Sequence, residues 1–349
     1  MDYYNLYQDI LEYIPLELNN NEKMLNEMLY KSIYTYLYSN KINKVLVSLS
    51  GGVDSMVLLD IICKIREQDS IDIICCHVNY NNREESVEER NFLKEYCNYK
   101  KVIFECMDFD FKRGSIKRNI YEEKTRKIRY QYYKELIDKY NSCGVFLAHH
   151  QDDICENIYN NIMRGGREIT DLIVFKQQNS ILEVDVHRPL LEFRKDIIYD
   201  FSHRYQVPYF LDSTPDWSCR GKMRNNIFPK CEDCYGENYK NSLLELGNKG
   251  EELGHIIQTY IINKLFDKIN LTTSFKIELE DVLREKYILR ILLHKICIIL
   301  NIGTIKQKNI DILLNHIKEN KSNKICILKD YNTYIRDNYL YFTCINNIT

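Results

Sequence analysis

The stretch Lys44-Val45-Leu46-Val47-Ser48-Leu49-Ser50-Gly51-Gly52-Val53-Asp54-Ser55-Met56-Val57-Leu58-Leu59 decides the fold of this chain. A β-branched, apolar run ends in a small polar turn. A second apolar run then starts with helical spacing at Val57, Leu58, Ile61, Ile62 and Ile65. The pattern predicts a strand, a tight loop and a helix. Gly51 and Gly52 let backbone N–H groups turn toward one point and let a ligand come close. The helix N-terminus adds partial positive charge at that point. Ser50 and Ser55 add hydroxyl donors, and a phosphate chain is the guest that suits them. Asp54 would repel such a guest unless a cation lay between them, which implies Mg²⁺.

The loop lacks the Gly-Lys-Ser/Thr ending of a Walker A motif. Its hexapeptide Ser50-Gly51-Gly52-Val53-Asp54-Ser55 resembles the pyrophosphate-binding loop of the ATP pyrophosphatase (PP-loop) family. That resemblance implies cleavage of ATP to AMP and pyrophosphate, with AMP used to activate a carbonyl-type oxygen. The plain alternative is a Gly-Gly turn, which leaves the other four residues of the match unexplained.

At 349 residues the chain is long enough for two domains. Its apolar content of 45% and charged content of 28% are ordinary globular values. The net charge of −2 confines any nucleic-acid binding to local patches. Thirteen cysteines follow no spacing framework and several lie in apolar runs, which suits buried thiols in a reducing compartment. No apolar run approaches bilayer length, and the N-terminus has no signal pattern. No membrane and a cytoplasmic location are therefore the expectations.

Around the loop, strands and helices alternate. Residues 2–38 carry helical periodicity divided at Pro15. Strands are expected at Ile71–His77, Lys101–Met107 and Gly144–Ala148. Helices are expected at Glu85–Tyr96, Ile120–Tyr140, Asp152–Met163 and Arg194–Tyr205. Alternation of this kind predicts an α/β fold, a doubly wound, mostly parallel and Rossmann-like sheet. Ligands bind such sheets at the strand carboxyl ends, where the loop, His77 and His149-His150 all fall.

Two further stretches carry chemistry. In Leu147-Ala148-His149-His150-Gln151-Asp152-Asp153-Ile154-Cys155-Glu156-Asn157 three carboxylates open a helix. Asp152 or Asp153 would face a metal or a substrate amine, although helix capping also accounts for acids there. Between Lys112 and Lys134 nine Lys or Arg face only Glu122 and Glu123, with Tyr121, Tyr130, Tyr132 and Tyr133 interleaved. Such a mixture fits RNA phosphates and bases, against the alternative of a solvated helix face.

These stretches resemble one PP-loop branch, the tRNA(Ile)-lysidine synthases. The likeness runs through His77-Val78-Asn79-Tyr80-Asn81-Asn82-Arg83, with Tyr80 where the family has a second His, and through Thr125-Arg126-Lys127-Ile128-Arg129-Tyr130. It continues in the His-His/Asp-Asp stretch, Arg164-Gly165-Gly166, His187-Arg188-Pro189-Leu190-Leu191, Val207–Thr214 and Arg220-Gly221-Lys222-Met223-Arg224 with Pro229. The resemblance implies a cytidine at the wobble position of tRNA(Ile) with a CAU anticodon, together with free L-lysine and ATP, as substrates. It assigns ATP binding to Ser50, Gly51, Gly52, Asp54, Ser55, His77 and His149. It places Mg²⁺ on Asp54 and Asp153, and catalytic roles on Asp54, on Arg126 or Arg129, on Asp152 or Asp153, and on Arg220 or Arg224. A homodimer completes the expectations.

Cys231-Glu232-Asp233-Cys234 is a single Cys-x-x-Cys without a second pair, so incidental thiols are favoured over zinc. If functional, it would point to a tRNA thiolase of the same superfamily. A tRNA-binding relative without catalysis is a third reading. The chain divides into an N-terminal helical extension (1–40), a PP-loop domain (41–230) and a smaller, mainly helical C-terminal domain (231–349) with short strands near Lys324–Leu328, Tyr331–Arg336 and Tyr339–Cys344.

Overall fold

The computed structural model describes residues 11–13, 27–81, 85–109, 118–165, 167–210, 218–303, 305–328 and 331–345. The chain divides into two compact units, Met1–Asn248 and Lys249–Thr349.

In chain order the first unit contains β1 (Leu11–Tyr13), α1 (Met28–Ser39), β2 (Lys44–Ser48), α2 (Val53–Arg66), β3 (Asp72–Asn79), α3 (Ser86–Tyr99), β4 (Ile103–Asp108) and α4 (Arg118–Tyr140). There follow β5 (Val145–Phe146), α5 (Gln151–Arg164), β6 (Gln178–Ile181), β7 (Val184–His187), α6 (Lys195–Arg204) and β8 (Tyr209–Phe210). Then come α7 (Cys219–Lys222), a π turn (Met223–Ile227), α8 (Phe228–Tyr235) and the start of α9 (Tyr239–Ile257).

Six strands form one sheet in the order β4-β3-β2-β5-β7-β6. All neighbours pair in parallel except β6 and β7. Alternation along β2 and β3 sends Val45, Val47, Ile73 and Cys75 to one face, where they pack with residues of α1, α2, α3 and α6. Leu46, Ile74 and Cys76 face the other way, onto Tyr130, Tyr133 and Leu136 of α4. Helices on both faces make this the doubly wound sheet expected from the sequence.

The sequence reading departs from the structure in three places. Leu11–Tyr13, inside the stretch expected to be helical, is a strand paired with Tyr209–Phe210. The hairpin β6–β7 was not expected. Its two-residue turn has positive φ at Leu182 (49°) and Glu183 (64°), where Gly or Asn normally announces such a turn. The pairing of β7 with β5 and the burial of Val184 and Val186 hold it. Third, Phe275–Glu278, in the part of the C-terminal domain where no strand is expected, is a strand.

The second unit contains α10 (Asn263–Asp267), β9 (Phe275–Glu278), α11 (Lys286–Ile299), α12 (Gln307–Lys318), β10 (Ile325–Leu328), β11 (Tyr331–Arg336) and β12 (Tyr339–Cys344). Its antiparallel sheet runs β10-β11-β12-β9. Ile277, Ile335, Leu340 and Phe342 on one face join Leu292, Ile296, Leu313 and Ile317 of α11 and α12 in a single core. No helix of the described residues is long and apolar enough to cross a membrane.

Candidate active site

The loop after β2 closes on Ser55. Its Oγ accepts from the N–H groups of Ser50 and Gly51, both at 3.2 Å, and donates to the Gly52 carbonyl at 3.0 Å. Ser50 Oγ lies 3.1 Å from it. One hydroxyl thus fixes the loop's shape and leaves the first N–H groups of α2 without partners inside the helix, as at every helix start.

Gly51 sits at φ +86°, and a Cβ there would lie 2.0 Å from the Phe210 ring. The Phe210 N–H donates to the Gly51 carbonyl at 2.9 Å, so β8 clamps the loop from above. Gly51→Ala is expected to lower stability by about 2–4 kcal/mol, the sum of backbone strain and overpacking. Urea denaturation checks this. Gly51→Ala with Phe210→Ala should lose less than the two single variants added together. Strict additivity would mean that the ring does not restrain the loop.

Asp54 lies in the first turn of α2. Its Oδ1 is buried with no hydrogen-bond partner. The nearest basic side chains are His150, with Nε2 3.7 Å from Oδ1, and Lys195, with Nζ 3.9 Å from Oδ2, both beyond hydrogen-bond reach. Burial pushes this carboxyl above its ordinary range, against the pull of His150 and Lys195. An orphaned carboxylate oxygen beside a helix N-terminus fits a hard cation, which commonly takes only one or two protein carboxylates when phosphate supplies the rest. Among the described residues no group of three or more His, Cys, Asp or Glu is set to hold a metal by itself.

Helix α5 delivers the second half. His150 is its N-cap, and Asp153 Oδ2 accepts from the His150 N–H at 3.1 Å. Asp153 Oδ1 is ion-paired with Arg220 and lies 3.4 Å from Arg224 Nη2. Glu156 receives Arg220 Nε at 2.5 Å and Arg224 Nε on its other oxygen. Two carboxylates and two guanidiniums thereby form a neutral cluster. Burial opposes the charge on Asp153, but His150 and Arg220 outweigh it and hold that carboxyl down at about 2. A cavity of about 220 Å³ opens beside the cluster, lined by Asn157, Asn160, Arg164, Phe175, Cys219 and Met223 as well.

Asp152 points elsewhere. It accepts from the Lys195 N–H at 2.9 Å and from the Lys240 ammonium, tying the starts of α5 and α6 to α9. His149 stacks on Phe175 with ring centroids 4.6 Å apart, and its Nδ1 accepts from Arg188 Nε at 3.1 Å. That bond leaves any ring proton on Nε2, and burial pushes the imidazole down to about 4, so it is neutral at physiological pH. Arg188 is itself 1% exposed and also donates to the Lys176 carbonyl and to Asn179 Oδ1. His77 Nδ1 bonds the Leu49 carbonyl at 2.8 Å, and burial pushes its imidazole down as well. Arg129 contacts the Tyr80 hydroxyl at 3.4 Å and its buried Nε has no partner, whereas Arg126 is exposed, over the Tyr130 ring at 5.6 Å.

The structure thus brings Asp54 and Asp153 within 3.7 and 3.6 Å of His150 Nε2, and pairs Arg220 and Arg224 with Asp153. The sequence reading places Glu156 among the carboxylates that open α5, His150 at a strand carboxyl end and Arg188 in the His187–Leu191 stretch, but assigns none of them a role. Lys195 and Lys240 carry no signal in it. Asn82, Arg83, Lys112, Arg113, Lys117, Gly166 and 211–214 lie outside the described residues. Cys231 is half-buried and Cys234 exposed, both with free thiols.

Residues 20–231 match the family model of the PP-loop domain. The chain is 27% identical over 244 residues to a tRNA(Ile)-lysidine synthase of Enterococcus faecalis, covering 69% of this chain and 52% of that protein. It is 27% identical over 248 residues to the tRNA(Ile)-lysidine synthase of Chlamydia caviae, covering 70% of this chain and 75% of that one. The chain thus spans about half the length of the first relative and three quarters of the second. Among solved structures, the U34-tRNA thiolase NcsA from Methanococcus maripaludis, with its 4Fe–4S cluster, superposes with a TM-score of 0.51 at 16% identity, over 66% of this chain and 80% of that one. At that identity the likeness is one of fold.

Proposed function

The chain belongs to the PP-loop domain family, and from that premise we propose that it is an ATP-dependent ligase that joins lysine to C2 of the wobble cytidine of a tRNA(Ile) with a CAU anticodon. The observation that carries the reading is the meeting, at His150 Nε2, of an orphaned Asp54 oxygen and the Asp153–Glu156–Arg220–Arg224 cluster. The names of the relatives support the substrate class.

The chemistry needs both halves. Oxygen is a poor leaving group from C2 of cytosine. Attack of O2 on the α-phosphorus of ATP breaks the bond to pyrophosphate and converts that oxygen into part of AMP, which leaves well. The lysine ε-amine, after losing a proton, then forms the C2–N bond as the C2–O bond to AMP breaks. The loop N–H groups and the start of α2 hold the phosphates, with Ser55 keeping the loop in shape. Mg²⁺ held by Asp54 would neutralise phosphate charge during adenylation. Asp153 and Glu156 are the carboxylates suited to the amine, since Asp152 is committed to Lys195 and Lys240. The cluster is neutral as it stands, so phosphate oxygens that draw Arg220 or Arg224 toward themselves leave carboxylate charge free for an ammonium.

Incubation with ATP, radiolabelled lysine and a tRNA carrying the CAU anticodon tests this. Label is expected in the RNA, with AMP and pyrophosphate released in equal amounts. ATP consumption without label in the RNA would overturn lysine as the nucleophile. Absence of both would overturn the reading itself.

A further inference from the structure

The outer face of the second unit's sheet carries an aromatic surface that the proposed chemistry does not use. Along β11, Tyr331, Thr333 and Ile335 turn into the core, so Asn332, Tyr334 and Arg336 face outward. Along β12, Leu340 and Phe342 turn inward, leaving Tyr339, Tyr341 and Thr343 outside. Lys276 and Glu278 of β9 lie on the same outer face.

Strand register brings these side chains together. Tyr334 pairs directly with Tyr341, and Tyr341 with Lys276. The rings of Tyr334 and Tyr341 stack at 5.1 Å with planes only 5° apart. Tyr339 stands 6.3 Å from Tyr341 at 57°, with the Lys276 ammonium 4.2 Å over its ring. All three tyrosines are half-buried rather than covered. Cross-strand tyrosine pairs also stabilise sheets. That role needs no neighbouring cation or open ring face.

We infer that this face is a binding platform for unpaired nucleotides of RNA. Tyrosine rings on an open sheet are stacking surfaces for bases, and every base has a π-face to offer. At 5.1 Å the Tyr334–Tyr341 pair is too tight for a base to enter between them, which needs about 7 Å, twice the ~3.4 Å stacking rise. The pair therefore acts as one block that offers its outer ring faces. Lys276 and Arg336 flank the rings where a phosphate backbone would pass, with Glu278 and the Arg336 partner Asp337 as the opposing acids. The charge of the unit favours RNA. Residues 249–349 hold 15 Lys and Arg against 11 Asp and Glu, a net +4 in a chain whose total is −2.

This inference rests on an RNA substrate, and its test separates the two. Binding of the full chain to the CAU tRNA is measured by filter retention, and ATP affinity is measured separately. Tyr334→Ala with Tyr341→Ala is expected to weaken tRNA binding about tenfold while leaving ATP affinity unchanged. Tyr334→Phe with Tyr341→Phe, which keeps both rings, should bind as the parent does. Lys276→Ala should reduce the slope of log K against log salt by about 1. A second measurement does not depend on the variants folding. Photocrosslinking of the parent chain to tRNA bearing 4-thiouridine should place adducts within 331–344. Adducts found only elsewhere, or alanine variants that bind like the parent, would overturn the platform while leaving the ligase reading standing. A parent that binds no tRNA would overturn both. If the alanine pair instead dissociates a dimer and leaves RNA binding intact, the face joins two copies of the chain and the inference fails.

Discussion

Asp54→Asn is expected to lower tRNA-dependent ATP consumption by about 1,000-fold or more and, at neutral pH, to raise thermal stability. Both effects have one cause. The Asp54 side chain is half-buried with Oδ1 buried and unpartnered, which on the proposed reading leaves that oxygen for a cation and phosphates. Without them, its charge is a burden on the fold. The sign follows from linkage. Burial raises the folded-state pKa above the unfolded value, so the folded state binds the proton more tightly than the unfolded chain does. Stability is therefore lost as pH rises through the unfolded value toward and past the folded one. Asn carries no charge and escapes that loss. The gain in melting temperature should be full at neutral pH and should fade as pH drops toward the ordinary range of aspartate. A neutral, more stable, inactive variant would match the stability–activity trade-off of strained sites. An Asp54→Asn protein that consumes ATP at the parent rate would remove the basis of the proposed mechanism, whatever its melting temperature.

Arg220→Ala carries the second large effect. Arg220 bonds both Asp153 and Glu156, whose side chains are only 6% exposed. Removing it leaves two buried carboxylates sharing Arg224. Breaking a buried pair from one side costs about 3–5 kcal/mol. Arg220 is itself half-exposed, so the low end, about 3 kcal/mol, is expected, or about 6–12 °C in melting temperature for a unit of this size. The loss should shrink in acid. The carboxyl of Asp153 is held down at about 2 partly by Arg220, so its stabilising contribution is present above the ordinary aspartate value and disappears as pH falls through about 2. In the same variant kcat is expected to fall by about 100- to 1,000-fold, the usual loss when a donor aimed at developing charge is removed. Arg220→Lys should recover part of the stability and little of the rate, because an ammonium cannot serve two carboxylates in the guanidinium's planar geometry. Equal stability of Arg220→Ala and the parent would show that the cluster is not held by this arginine.

What could be known from sequence was local. The strand–loop–helix at 44–66 is written in a β-branched run, a Gly-Gly pair and a helical apolar repeat, all within one short window. The same two periodicities placed β3, β4, α3, α4, α5 and α6 close to where they lie. The hairpin β6–β7 escaped because Leu182 and Glu183 occupy its turn, and β1 escaped because three residues become a strand only when Tyr209–Phe210 lies alongside. The site divides the same way. Sequence alone marked the loop, the carboxylates of α5 and the arginines at 220 and 224 as chemically able. Tertiary structure alone decided that Asp153 and Glu156, rather than Asp152, meet those arginines, 64 to 71 residues away. It also decided that Ser55 shapes the loop, that Phe210 makes Gly51 obligatory, and that Lys195 and His150 stop just short of Asp54. Propensity and periodicity act between neighbours along the chain and leave a fixed spacing behind. Charge pairing and packing act through space and leave none.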